Sequence, residues 1–153
     1  MPAQPIESHD DIVIEISNVW KIFGDQAEEA LNAIREEGLS KAQVLDTYNA
    51  VVGVADVSLS IKRGEIFCVM GLSGRGKSTL VRHLNRLLEP TDGKILIHGT
   101  DVMALNAKEL QKFRNLKIGM VFQNFALLPH RSVLDNVAMP LEIRSMNKNE
   151  RIR

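Results

Sequence analysis

Residues 71–79 read GLSGRGKST, the spacing G-x-x-x-x-G-K-[ST]. These residue types at this spacing wrap an oligophosphate. Glycines let the backbone approach an anion without Cβ clashes, and successive backbone N–H groups turn inward around it. Lys77 reaches the outer phosphates, and the Ser78 hydroxyl is placed to ligate Mg²⁺. The candidate set for gripping a phosphate chain is Gly71, Ser73, Gly74, Arg75, Gly76, Lys77, Ser78 and Thr79. Arg75 occupies a variable position of the motif. Its backbone N–H still serves the loop, and its side chain is expected to face solvent, with a direct phosphate contact as the alternative.

Such a loop needs a strand leading in and a helix leading out, with the positive end of that helix aimed at the same anion. Ile66 to Met70 form a continuous apolar run, which predicts a strand covered on both faces, with Cys68 in it as a small core residue. After the loop, Leu80, Val81, Leu84, Leu87 and Leu88 recur at helical spacing up to Pro90. Upstream, Ile12, Ile14 and Ile16 alternate with their neighbours and predict a strand over 11–19, closed by Trp20 to Gly24. Gln26 to Glu37 read as an acidic helix capped by Gly38, and Ser40 as the N-cap of a short helix through about Tyr48. Strand structure resumes near residue 52, where Val57, Leu59 and Ile61 alternate. Downstream, Thr91-Asp92-Gly93 predict a turn, Ile95 to Ile97 a short strand ended by Gly99, and Asn106 with Glu109 a capping box. Ile118 to Phe122 predict another strand, and Ser132 caps a helix with Pro140 near its end. Asn147 and Glu150 form a further cap-like pair.

The 153 residues suffice for one domain, and 44% of them are hydrophobic. Lys plus Arg and Asp plus Glu are both 19, so composition makes no electrostatic case for nucleic acid. A single cysteine excludes an internal disulfide. The first residues, MPAQPIESHDD, are polar and acidic, unlike a signal peptide, and no apolar run has the length of a membrane span. A cytosolic location, or the cytosolic side of a membrane, is expected. His9, His83, His98 and His130 have no metal-site spacing.

GLSGRGKST, followed by LVRHLNRLLEPTDGKILIHGTDV and KIGMVFQNFALLPHRSVLDNVAMPLEI, resembles the ATP-binding subunit of an ABC transporter. More narrowly, ISNVWKIFG, VGVADVSLSIKRGEIF and VFQNFALLPHRSVLDN are similar to glycine betaine, proline and choline importers. The resemblance implies an α/β fold: a P-loop NTPase core with an antiparallel β-subdomain. It implies ATP and Mg²⁺ as cofactors, with Lys77 and Gln123 in catalytic roles and Ser78 and Gln123 as Mg²⁺ contacts. Phe23 matches the aromatic that stacks on adenine, with Trp20 as the competing candidate, and sheet-edge packing is the plainer reading of both. In this reading residues 1–10 are a tail. Residues 11–153 are the N-terminal part of the ATP-binding domain, with a helical insertion at 25–50 and a glutamine-loop region at 121–136. His130, in the PHRS stretch, is expected to have a structural or surface role, with shaping of the loop that meets the permease as the alternative.

The family's signature LSGGQ, its Asp-Glu strand end and its switch histidine have no counterpart in the 153 residues, so the chain is expected to be part of a longer protein. The implied partners are a transmembrane permease subunit, a second ATP-binding subunit packed head to tail, and a separate osmolyte-binding protein, at the cytoplasmic face of the membrane. Two other readings compete: a nucleotide-binding or dimerising fragment without turnover, and a GTPase. For the latter, Asn147 to Glu150 imitate N-K-x-D, but Glu replaces Asp and no D-x-x-G follows the loop.

Overall fold

The isoleucine alternation at 12, 14 and 16 folds as β1 (Ile12–Phe23), which pairs on both sides in a four-stranded antiparallel sheet. The others are β2 (Val51–Lys62), β3 (Asp92–Ile97) and β4 (Thr100–Asp101), in the order β2-β1-β3-β4. The computed structural model describes residues 11–123, 127–144 and 146–147. They form two compact units, divided between Ala104 and Leu105.

β1 runs past residue 19, where the sequence pattern loses its phase, and a bulge explains the loss. The register between β1 and β2 shifts between Ile16 and Val19. Asn18 and Asp56 both adopt left-handed backbone (φ 50 and 47). The Asn18 Nδ2 donates to Asp56 Oδ1 at 3.0 Å, and its N–H donates to Ser58 Oγ at 2.8 Å. The irregularity flips the side-chain alternation so that Val19 is buried after Ile16, and further register shifts between Val19 and Ile22 turn Ile22 inward again. The turn expected at 91–93 is instead the start of β3, because Asp92 pairs with Trp20 and the Thr91 N–H donates to the Trp20 carbonyl at 2.8 Å.

Two helices lie between β1 and β2: α1 (Ala27–Glu37) and α2 (Lys41–Tyr48). Gly38 ends α1 in left-handed backbone, its N–H on the Ile34 carbonyl. Ser40 and Gln43 form a reciprocal capping box for α2. Their inner faces build one hydrophobic cluster, Ile22, Ala30, Leu31, Val44 and Ala50, with Trp20, Ile34 and Tyr48 packed against it. Burying each large aliphatic side chain there contributes about 1.5–3 kcal/mol. Arg35 ties the pair to β3 through a 2.6 Å bond to Asp92, which holds that carboxyl below its usual range.

α3 (Lys77–Leu84) follows the glycine-rich loop and stops four residues before the apolar pattern does. The Asn85 Oδ1 accepts the Leu87 N–H at 3.1 Å, and Arg86 turns left-handed (φ 52). That local side-chain bond competes with helix continuation. The second unit contains α4 (Ala107–Lys117), opened by the Asn106–Glu109 capping box, and α5 (Val133–Ile143), opened by Ser132 and containing Pro140.

Two expectations fail. Residues 66–70 form no strand, and Ile66 and Met70 are 90% and 88% exposed. Cys68 is exposed with them. Residues 118–122 form no strand either, and Val121 is 86% exposed. An apolar run becomes a buried strand only when neighbouring strands satisfy its N–H and C=O groups and another layer covers it. Among the described residues no strand pairs with either run.

His83, expected only to lack a metal partner, is completely buried (0% exposed) on the inner face of α3. Its Nδ1–H donates to the Leu88 carbonyl at 2.7 Å, while Nε2 has no partner. Burial pushes the imidazole below the usual histidine range; the bond to Leu88 opposes this and the Lys21 charge adds to it. The unfolded chain therefore takes up the proton first. Stability is full above about pH 6.5 and falls as pH drops through the range below it. His83→Leu removes the orphaned acceptor and the titration together. Thermal unfolding of the variant is expected to lose less between pH 8 and pH 5.5 than the wild type does. Equal losses would show that His83 does not carry this dependence.

Candidate phosphate-binding site

The loop of residues 71–76 turns through left-handed glycines at Gly74 and Gly76 (φ 75 and 81) and delivers the chain into α3. The first intrahelical bond of α3 runs from the Leu80 N–H to the Gly76 carbonyl at 2.8 Å. The N–H groups of Lys77, Ser78 and Thr79 precede it, so helix geometry leaves them without intrahelical acceptors. Ser40, Asn106 and Ser132 cap α2, α4 and α5 with their side chains, whereas Gly76 offers α3 no side-chain cap. α1 also starts without a side-chain cap, at Gln26, so what sets α3 apart is the glycine loop leading into its start, where the dipole favours an anion.

Gly76 admits no other residue. Its backbone is left-handed, and a Cβ there would collide with the carbonyl oxygen of Gly53 on β2. The loop is thereby pressed against the sheet. Lys77 folds back over it, its Nζ donating to the carbonyls of Gly71 and Leu72, each at 2.7 Å. The ammonium thus lies within the curve of the loop, where a phosphate chain would exchange carbonyl partners for phosphate oxygens. Gly71, Ser73, Gly74, Arg75 and Ser78 are exposed, and Gly76, Lys77 and Thr79 half-buried. The Arg75 N–H donates to the Leu72 carbonyl at 3.4 Å, and its side chain faces solvent.

The two aromatic candidates separate. Trp20 packs against the α1–α2 cluster, with the Arg35 guanidinium 6.0 Å from its ring centroid. Phe23, at the end of β1, is 39% exposed, with the Lys21 ammonium 5.3 Å from its centroid. The Phe23 ring lies over Gly53, a residue that sequence reasoning passed over. A lone glycine inside a strand pattern signals a close backbone approach and was the available clue.

In the second unit, Gln123 is exposed just beyond the 118–122 run, and residues 124–126 lie outside the described part. The segment leading into α5 is organised by Asn136, also unmarked by its sequence context. Its Oδ1 accepts the Leu128 N–H at 2.8 Å, and its Nδ2 donates to the carbonyls of Leu128, Arg131 and Ser132. His130 is exposed there. The Asn147–Glu150 pair and the imitation of a guanine-reading motif fall largely outside the described residues. Among the described residues no group of three or more His, Cys, Asp or Glu is arranged to hold a metal, and no helix is long and apolar enough to cross a membrane. Ser78, with an exposed hydroxyl in the first turn of α3, fits a Mg²⁺ ion that takes its remaining ligands from water and phosphate.

A glycine loop pressed on a sheet, a lysine folded over it and an uncapped helix start together define a phosphate-loop protein of α/β class. The chain belongs to the ABC transporter family, whose model matches residues 54–153. It is 52% identical to ProV, the glycine betaine/proline betaine transport system ATP-binding protein of Escherichia coli (strain K12), over 140 residues, covering 92% of this chain and 35% of that protein. It is 49% identical to GbuA, the glycine betaine/carnitine transport ATP-binding protein of Listeria monocytogenes serotype 1/2a (strain 10403S), covering 90% of this chain and 34% of that protein. Among solved structures, the dimeric post-hydrolysis state of the ATP-binding cassette MJ0796, bound to ADP and Pi, superposes with a TM-score of 0.70 at 31% identity, covering 91% of this chain and 52% of that one. The chain spans about a third of the length of the curated relatives it matches.

Proposed function

We propose that this chain belongs to a subunit that binds ATP and uses its hydrolysis to drive import of a quaternary-amine osmolyte such as glycine betaine, proline betaine or choline. The observation that carries the nucleotide part is the Lys77 ammonium held inside a loop that opens onto the uncapped start of α3. The substrate class rests on the names of the relatives at 52% and 49% identity.

In this reading the loop N–H groups and Lys77 hold the β- and γ-phosphates, and Phe23 presents its exposed ring to the adenine. As the γ-phosphoryl departs in line toward an attacking water, Lys77 offsets the charge that develops on its oxygens. Ser78 would hold Mg²⁺, which when bound supplies further neutralisation of the phosphate oxygens. Gln123 orients the water, a role that rests on the family resemblance. Arg75 stays out of the phosphate contacts. The subunit works at the cytoplasmic face of the membrane with a permease and a second ATP-binding subunit, while a separate binding protein meets the osmolyte. The 153 residues alone bind nucleotide without turnover, since they contain no counterpart of the family's signature loop or catalytic carboxylate.

The test uses the full-length protein assembled with its permease. Gln123→Ala is expected to lower osmolyte-stimulated phosphate release about 10- to 100-fold while ATP affinity changes little, since misplacing a reacting group costs rate rather than binding. An equal loss of rate and affinity would make Gln123 a structural residue. No stimulation of the wild type by any quaternary amine would overturn the substrate class.

A further inference from the structure

Gly53 lies in the interior of β2, where a glycine weakens the strand unless a neighbour uses the space it leaves. Two neighbours do. A Cβ at this position would stand 2.6 Å from Cε2 and 3.2 Å from Cδ2 of Phe23, so the ring edge rests directly on the strand backbone. At the same residue, the carbonyl oxygen is the wall against which Gly76 is pressed at the entry to α3. Phe23 itself pairs with Val51, two residues earlier on β2, so its ring reaches along the strand to Gly53.

We propose that Gly53 is a positioning residue that fixes the span between the Phe23 ring and the anion site at the start of α3. The inference rests on the reading of Phe23 as the platform for the base. A nucleotide has a set distance between its purine and its outer phosphates. Stacking and phosphate binding add in full only when ring and loop are held at that distance. Gly53 meets both requirements with one residue: its missing side chain lets the ring settle low, and its carbonyl sets how far the loop can approach. A methyl group at position 53 lifts the ring edge, because the ring occupies the space the methyl needs. It leaves the carbonyl, and therefore the phosphate side, where it was.

The test compares ATP with inorganic tripolyphosphate, which has phosphates and no base, by calorimetric titration of the full chain. Gly53→Ala is expected to weaken ATP about tenfold, the scale of one aromatic–base stack, and to leave tripolyphosphate within about twofold. Phe23→Ala is expected to do the same, and the double variant to be no worse than Phe23→Ala, because both act through one ring. Equal weakening of both ligands by Gly53→Ala, or losses that multiply in the double variant, would overturn the proposal. If Phe23→Ala leaves ATP affinity unchanged, the platform reading falls. If Phe23→Ala weakens ATP and Gly53→Ala does not, the positioning role alone falls. Should Gly53→Ala fail to fold, the added Phe23→Ala is expected to restore folding by removing the ring it collides with. A double variant that also fails to fold would place the need for glycine elsewhere and overturn the inference.

Discussion

Lys77→Ala is expected to weaken ATP binding about 10- to 100-fold, the equivalent of one charge-assisted hydrogen bond of about 1.5–3 kcal/mol. The ammonium already lies inside the loop, 2.7 Å from the carbonyls of both Gly71 and Leu72, so a bound phosphate has only to take over donors that are in place. Alanine is the best helix former, and the first turn of α3 keeps its geometry in the variant. Titration with a fluorescent ATP analogue measures the loss, and circular dichroism confirms the fold. Unchanged affinity in a folded variant would remove Lys77 from the site.

Gly76→Ala is expected to be more damaging. Left-handed backbone costs an L-residue roughly 1–2 kcal/mol. Here the added Cβ also meets the carbonyl oxygen of Gly53, a backbone atom fixed in a sheet that cannot swing aside. The loop must leave the sheet, and ATP affinity is expected to fall more than about 100-fold, with a lowered unfolding temperature. Gly64→Ala is the control: its φ is 75, yet a Cβ there meets nothing within 4 Å. It is expected to cost only the backbone strain, about 1 kcal/mol, with ATP affinity unchanged. If the two variants unfold at the same temperature and bind ATP alike, the contact between Gly76 and Gly53 has no consequence.

The parts of the molecule that were legible in the sequence are those specified locally. The N-cap at Ser40, the capping box at Asn106 and the left-handed stop at Gly38 follow from residues at or within four positions of the helix ends they serve. The loop at 71–79 was equally plain, because its turn into α3 is set by glycines and one lysine in a fixed spacing. What depended on distant partners was misread. The runs at 66–70 and 118–122 have the composition of buried strands, but composition cannot supply the neighbouring strands that would bury them. β1 was cut short because a bulge at Asn18 reverses the alternation on which the reading relied. Trp20 and Phe23 were indistinguishable by type; only the packing of α1 and α2 against Trp20 separates them. His83 looked like one histidine among four, since nothing local shows that α3 turns it inward.

The central claim is that the loop closed by Lys77 and Gly76 forms a nucleotide site that recognises both phosphates and base. Equilibrium titration of the chain with Mg·ATP, with unlabelled GTP and inorganic tripolyphosphate as competitors of a fluorescent ATP analogue, tests it directly. The account predicts saturable binding of one ATP per chain and displacement of the analogue by tripolyphosphate at higher concentration than by ATP. GTP should displace it at a concentration near that of ATP, because a Phe23 stack accepts either purine. Absence of saturable binding, or an analogue that tripolyphosphate fails to displace, would contradict it.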